Sequence, residues 1–240
     1  MKRSISLALV IAAIGATISC GDDDSEVSPE IQFTYDFTSG TEGWTGDFAD
    51  YPNDEGVEEF YELDFTHSTL PEPLETNLGS LKQSGSNRSD DLFMFVKKQV
   101  TGLEPNQDYA VTIRIEIATD AASGAVGIGG APGESVYLKA GATAIEPRKV
   151  LDDTDNHFRM NIDKGNQSQD GDDMKNIGDF ANGTDEFTYV LKTLETNIPL
   201  LATADSNGEL WVTVGTDSGF EGITTIYYNT IEVSINAIIQ

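Results

Sequence analysis

The chain has 240 residues, with 41 acidic side chains against 14 basic ones and a net charge of −27. Nucleic acid and anionic lipid headgroups need a positive face, so this composition excludes both as partners. A single cysteine excludes internal disulfides and Cys-rich metal clusters, leaving a hydrophobic core, alone or with a bound hard cation, to hold the fold.

At the start of the chain, Lys2 and Arg3 precede an apolar run from Leu7 to Ile18 that ends in Thr17-Ile18-Ser19-Cys20. A basic start, an apolar stretch and small residues at the end form the pattern of an export signal. The run is roughly a dozen residues, whereas a bilayer-spanning helix needs about 20. Residues 1–19 are therefore expected to be a signal peptide. Gly21-Asp22-Asp23-Asp24-Ser25-Glu26 follows, too polar to fold, so 20–30 read as a linker.

From Ile31 onward the pattern is β. Ile31, Phe33, Tyr35 and Phe37 share one face of an alternating segment. Tyr109, Val111, Ile113, Ile115 and Ile117 point one way, with Thr112, Arg114 and Glu116 opposite, as in an antiparallel strand with one wet face. Further strands are expected at 60–66, 92–97, 136–139, 158–162, 187–194, 210–215 and 225–235. Pro105-Asn106, Ser206-Asn207-Gly208 and Asp217-Ser218-Gly219 supply turn chemistry between them. No sustained helical period or repeat is present. Residues 31–240 thus read as one all-β domain, a single antiparallel β-sandwich of the jelly-roll kind.

The N-terminal residues Thr17-Ile18-Ser19-Cys20 resemble the lipobox of bacterial lipoproteins, with Thr17 where that box usually has Leu. The resemblance implies lipid on the Cys20 thiol; an unmodified thiol is the alternative. The acidic run behind Cys20 resembles the surface-export signals of Bacteroidota lipoproteins. It implies an exported, outer-membrane protein facing outward, touching the membrane through its lipid only.

Three further pieces resemble carbohydrate-binding jelly rolls of the galactose-binding-like type. They are Phe33-Thr34-Tyr35-Asp36-Phe37 with Gly40, Gly43 and Trp44, then Val100–Tyr109, then Tyr227–Ser234. Together they cover about a fifth of the chain. They imply a glycan partner and a structural calcium joining the first and last strands, with Asp36 and Asn229 as ligands. Sugar rings stack on aromatic faces while amides, carboxylates and Arg bond their hydroxyls. Trp44, Tyr51, Tyr61 and Trp211 are the candidate platforms, with Arg88 and Asp90 as polar partners; burial in the core is the competing assignment for each ring. Asn166-x-Ser168-x-Asp170-Gly171-Asp172 alternates oxygen donors before a glycine, as calcium loops do, making Asp170 and Asp172 candidate ligands, although the closing Glu is replaced by Ile177.

An enzymatic alternative rests on Val136–Gly141, which resembles a strand of alginate-lyase-like jelly rolls. It implies Tyr137 and His157 as acid and base and Arg159 as the uronate partner. The other lyase motifs are absent, and so many carboxylates make a glycosidase pair unspecific. His67 is the second of only two histidines. The Gly-rich run 124–133 is not followed by a helix or a Gly-Lys-Ser/Thr motif, so it reads as a loop in close backbone contact rather than a phosphate cradle. A non-catalytic glycan-binding module is the leading reading, followed by a lyase or hydrolase, then a structural or adhesive surface protein.

Overall fold

The computed structural model describes residues 30–239; the expected signal peptide, the expected linker up to residue 29 and Cys20 lie outside them. The elements run β1 (Ile31–Tyr35), β2 (Thr45–Ala49), β3 (Tyr51–Pro52), a single helical turn α1 (Val57–Phe60), β4 (Asp64–Thr69), β5 (Gly79–Ser86), β6 (Leu92–Thr101) and β7 (Asp108–Thr119). They continue with β8 (Val136–Thr143), β9 (Lys149–Asp152), β10 (His157–Met160), β11 (Met174–Asp179), β12 (Val190–Glu195), β13 (Leu200–Thr203), β14 (Glu209–Ser218) and β15 (Ile223–Ala237).

Side-chain alternation sets the layers. In β7 the five aliphatic and aromatic residues from Tyr109 to Ile117 are buried, while Arg114 on the other face is exposed. Ile226, Tyr228, Ile231, Val233 and Ile235 do the same in β15. These two strands pair antiparallel at the centre of a seven-stranded sheet. β12 and β13 share the far edge of β7, and β5 and β1 share the far edge of β15, with β4 outside β5. The first and last strands are thus neighbours, as the jelly-roll resemblance implied.

The opposing sheet runs β11-β8-β14-β6-β2. Its inward residues, among them Leu138, Val212, Val214, Met94 and Val96, meet those of β7 and β15 in one core. Burying each such side chain contributes about 1.5–3 kcal/mol, so this layer carries the domain. The architecture is an antiparallel β-sandwich.

The outer faces of the two sheets differ. The seven-stranded sheet shows solvent a polar face, where Arg114 forks onto both oxygens of Glu232 at 3.1 Å. The five-stranded sheet is covered outside. A small sheet β3-β10-β9 and the segment 161–173 lie on it, enclosing a second core of Ala49, Phe93, Phe95, Ile162 and Met174.

Several expected boundaries shift. The strand expected at 60–66 begins only at Asp64, because left-handed Gly56 (φ 76) and Glu62 (φ 53) bracket the helical turn α1. The strand expected at 187–194 begins at Val190, since the Asn182 amide donates to the carbonyls of Glu186 and Thr188 and holds that stretch as a loop. Asp217 and Ser218, expected in a turn, are the last residues of β14. The Gly-rich run packs as expected: Gly127 lies under the Phe220 ring and Gly129 against the Gly219 carbonyl, leaving no room for a Cβ.

Candidate functional site

Two places stand out, and one segment serves both. Residues 161–173 leave β10, cross the outside of the five-stranded sheet and return as β11. Asp163 organises the turn: its two carboxylate oxygens accept the N–H groups of Gly165 and Asp172, each at 2.9 Å. Those backbone donors, Asp172 first, hold its pKa below the usual carboxylate value. Asp173 accepts from the Asp163 N–H at 2.7 Å, and Asp170 accepts from the Asn176 N–H at 2.8 Å. Gly165 takes φ +72 with the Gln169 carbonyl where a Cβ would stand, so this turn requires glycine.

At the far end of this segment lies a cleft of about 540 Å³. It opens on the side of the sandwich where β11, the edge of one sheet, meets β12 and β13, on the edge of the other. Buried Ala142, Ile177, Thr196 and Leu200 form its floor. Its lip mixes exposed aliphatic carbon with polar groups. Ile198 is 78% and Leu201 76% exposed, beside Asp170, Asp172, Asn197 and, partly buried, Asn176 and Lys175.

The near end of the segment reaches a different environment. The strand register aligns Asp217 of β14 with Phe93 of β6 and Phe93 with Ala49 of β2. Asp217, Asp50 just past β2 and Asp91 just before β6 therefore meet at one end of three neighbouring strands. Each offers a carboxylate oxygen within 4.8 Å of the others'. Asp217 is fully buried and Asp50 is 5% exposed. Lys164 enters from the segment, with its Nζ 2.8 Å from Asp217 and 2.9 Å from Asp50. Arg159 stands 3.3 Å from Asp50 and 3.6 Å from Asp91.

Lys139, wholly buried, lies 3.7 Å from Asp217 and donates to the carbonyls of Lys164 and Gln169. Burial lowers the Lys139 pKa, against the pull of Asp217. Burial acts the same way on Lys164, but Asp217 and Asp50 outweigh it and raise that pKa. Asp91 is pushed up to about 7, first by burial and then by the charge of Asp50. The three acids are an arrangement that could hold a metal ion.

The residues expected from sequence fall elsewhere. Trp44 (1% exposed), Tyr51 (0%) and Tyr61 (2%) are core residues, not sugar platforms. Trp44 is edged by Tyr35 and Phe37, and the Tyr51 ring packs on Tyr61 and Phe158. The Tyr51 hydroxyl is engaged too, receiving Lys149 Nζ at 2.6 Å. Trp211 is only partly buried, with Lys97 Nζ 5.4 Å above its ring. Arg88 pairs with Glu62 at 3.0 Å and lies over Phe60, and Asp90 gives its carbonyl to Gln167.

Asp36 is exposed and caps the Thr38 N–H, while the Asn229 amide donates to Glu116 at 2.7 Å. Asp170 and Asp172 lie beside the opposite sheet. The two expected calcium pairs, Asp36 with Asn229 and Asp170 with Asp172, thus lie on different sheets, and the three carboxylates that converge within 4.8 Å are others. His157 and Arg159 share β10, with the His157 ring bonded to the Asp155 carbonyl and Arg159 committed to Asp155, Asp50 and Asp91. Tyr137 stands on β8, opposite Asp217 and Asp179. His67 bonds the Phe37 carbonyl at 2.7 Å.

Sequence reading missed the exposed aliphatic pair of the cleft and the three converging acids. It also missed two tyrosines: Tyr189 and Tyr227 meet edge to face at 5.6 Å, both only partly buried. Among the described residues no helix is long and apolar enough to cross a membrane.

No protein-family model and no curated protein matches the sequence. Solved structures are similar to it at low identity. One is a carbohydrate-binding module of a β-sandwich superfamily, 14% identical with a TM-score of 0.37, covering 83% of this chain and 58% of that one. The chain thus spans little more than half the length of that protein. A carbohydrate-binding module that recognises mannan is 12% identical with a TM-score of 0.36, covering 88% and 100%. The K1 cleaved adhesin domain of Lys-gingipain from Porphyromonas gingivalis W83 is 12% identical with a TM-score of 0.35, covering 87% and 99%.

Proposed function

We propose that the chain is a lipid-anchored, surface-exposed module that binds neutral glycans without chemical turnover. The cleft beside β11 and β13 carries the reading. A sugar ring has a C–H face and an edge of hydroxyls. Ile198, Leu201 and the aliphatic floor suit the first; Asp170, Asp172, Asn176 and Asn197 suit the second. Ligand sites commonly combine an apolar lining with a few such polar groups. Carboxylates accept hydrogen bonds from hydroxyls, and three of them on the cleft, Asp170, Asp172 and Asp173, disfavour uronates and sulfated sugars. Export and lipid on Cys20 would put the module where extracellular polysaccharide is found, and a structural calcium belongs to the same reading.

Isothermal titration of the folded domain against neutral polysaccharides tests the binding. The combined Ile198→Asp and Leu201→Asp variant is expected to bind at least about tenfold more weakly, the equivalent of 1.4 kcal/mol. Both positions are exposed, so the fold is expected to survive. Absence of binding across a broad panel of neutral glycans, or binding indifferent to this change, overturns the reading. Anchorage is tested separately by palmitate labelling in cells, expected for the natural chain and lost in Cys20→Ala.

A further inference from the structure

We propose that Asp50, Asp91 and Asp217 form a divalent-cation site, in which Ca²⁺ takes the place now filled by the Lys164 ammonium. The inference goes beyond glycan binding and stands without it. Its first support is convergence: three carboxylates from three neighbouring strand ends, within 4.8 Å of one another. Its second is the state of their oxygens. Asp217 Oδ1 is buried and has no hydrogen-bond partner, although Asp217 Oδ2 accepts from Lys164 and from the Gln167 N–H. Asp91 Oδ1 is likewise buried without a partner. Asp50 Oδ2 has Lys164 at 2.9 Å but lacks hydrogen-bond alignment. Buried polar atoms normally find partners, so the two orphaned oxygens of Asp217 and Asp91, beside an Asp50 oxygen held by the Lys164 ammonium, point to a missing ligand.

The chemistry of that ligand follows from the donors. Oxygen-only, anionic donors select a hard cation, and nitrogen and sulfur donors that would favour zinc or copper are absent from the triad. Calcium accepts irregular shells of 6–8 oxygens, while magnesium demands a near-ideal octahedron. Three acids on separate strands, closed by one segment, suit the tolerant ion. An opening of about 210 Å³ lined by Asp50, Asp91, Lys164, Gly165 and Asn166 gives access. Lys164 is the competitor: it carries one charge to two of the three acids, and a divalent ion would reach all three. It lines the same opening, on the segment 161–173 rather than on a strand of the sandwich.

The test is calcium titration of the EDTA-treated domain, read by calorimetry and by thermal unfolding. CaCl₂ is expected to raise Tm and to bind one ion per chain. Asp91→Asn should weaken binding by about tenfold or more, as loss of a charged ligand does. Lys164→Met should tighten it by a similar factor, because the competing ammonium is gone. The paired Asp170→Asn and Asp172→Asn variant should bind calcium as the natural chain does, separating this site from the cleft. If Asp217→Asn fails to fold, Asp91→Asn and Lys164→Met still decide the question. The proposal is overturned if neither the natural chain nor Lys164→Met responds to millimolar calcium. It is equally overturned if binding survives Asp91→Asn and is lost in the cleft variant. Neutral-glycan affinity is measured in parallel, so failure of one site does not obscure the other.

Discussion

The segment 161–173 carries charge at both ends, and the two ends obey different rules. At Lys164 the charges are mostly dry, with Arg159 and Asp91 about a third exposed. Two lysines and one arginine stand among three aspartates, and Lys139 and Asp217 are wholly buried. At Asp170 and Asp172 the charges are wet: Asp170 accepts from the Asn176 backbone of β11, and both residues are exposed. A buried ion must be matched closely, because desolvation costs several kcal/mol per ion. An exposed one is screened and can be exchanged at little cost. The same residue type thus holds the segment down at one end and is free to meet a ligand at the other.

The largest effect expected from this contrast is at Asp217. Asp217→Ala leaves Lys139 and Lys164 buried without their main counter-ion and should cost about 3–5 kcal/mol in urea denaturation. A cost under about 1 kcal/mol would mean that water already screens the buried end, and the contrast would collapse.

An intermediate effect is expected at Asp91. Burial and Asp50 raise its pKa to about 7 from 3.8. Between those values the folded protein keeps a proton that the unfolded chain has released. Its contribution to stability therefore falls as pH rises from about 4 to about 7, and is level outside that window. Asp91→Asn, compared with the natural chain in EDTA across this range, should flatten that slope. An unchanged slope would assign the titration to another group.

The smallest effect is expected at Asp172→Asn. Its change in stability should stay within about 0.5 kcal/mol, as for most surface substitutions. Neutral-glycan affinity should fall nonetheless. A large stability loss with unchanged affinity would reverse the roles assigned to the two ends.

Much of the sandwich was legible in the sequence because alternation over many residues has one physical meaning. The periodic segments at 109–117 and 225–235 became the paired central strands of the larger sheet. Short strands such as β3 and β9 gave no such signal, since two or four residues do not establish a period. The site was much less legible. Trp44, Tyr51 and Tyr61 are the residue types that sugars stack on, but a ring in the core and a ring on the surface look alike in sequence. Ile198 and Leu201 pose the inverse problem, since an aliphatic residue reads as core until the edge it stands on is known. Asp50, Asp91 and Asp217 are brought together by strand register alone. Asp90, one position from Asp91, takes a left-handed φ of 63 in the turn before β6 and stays exposed, so a turn that no residue pattern announces decides which of the two acids reaches the cluster.

The pairing of β1 with β15 has a mechanical consequence. β1 begins at Ile31, so tension arriving from the N-terminal side enters the sandwich there. β1 is held to β15 by five residue pairs, from Ile31 with Ile235 to Tyr35 with Ile231. Tension along β1 loads the rungs of that ladder together. Tension across it opens them one at a time from Ile31. If the chain is held from its N-terminal side, as the proposed anchor would hold it, its resistance depends on the direction of pull, and β1 is the fuse.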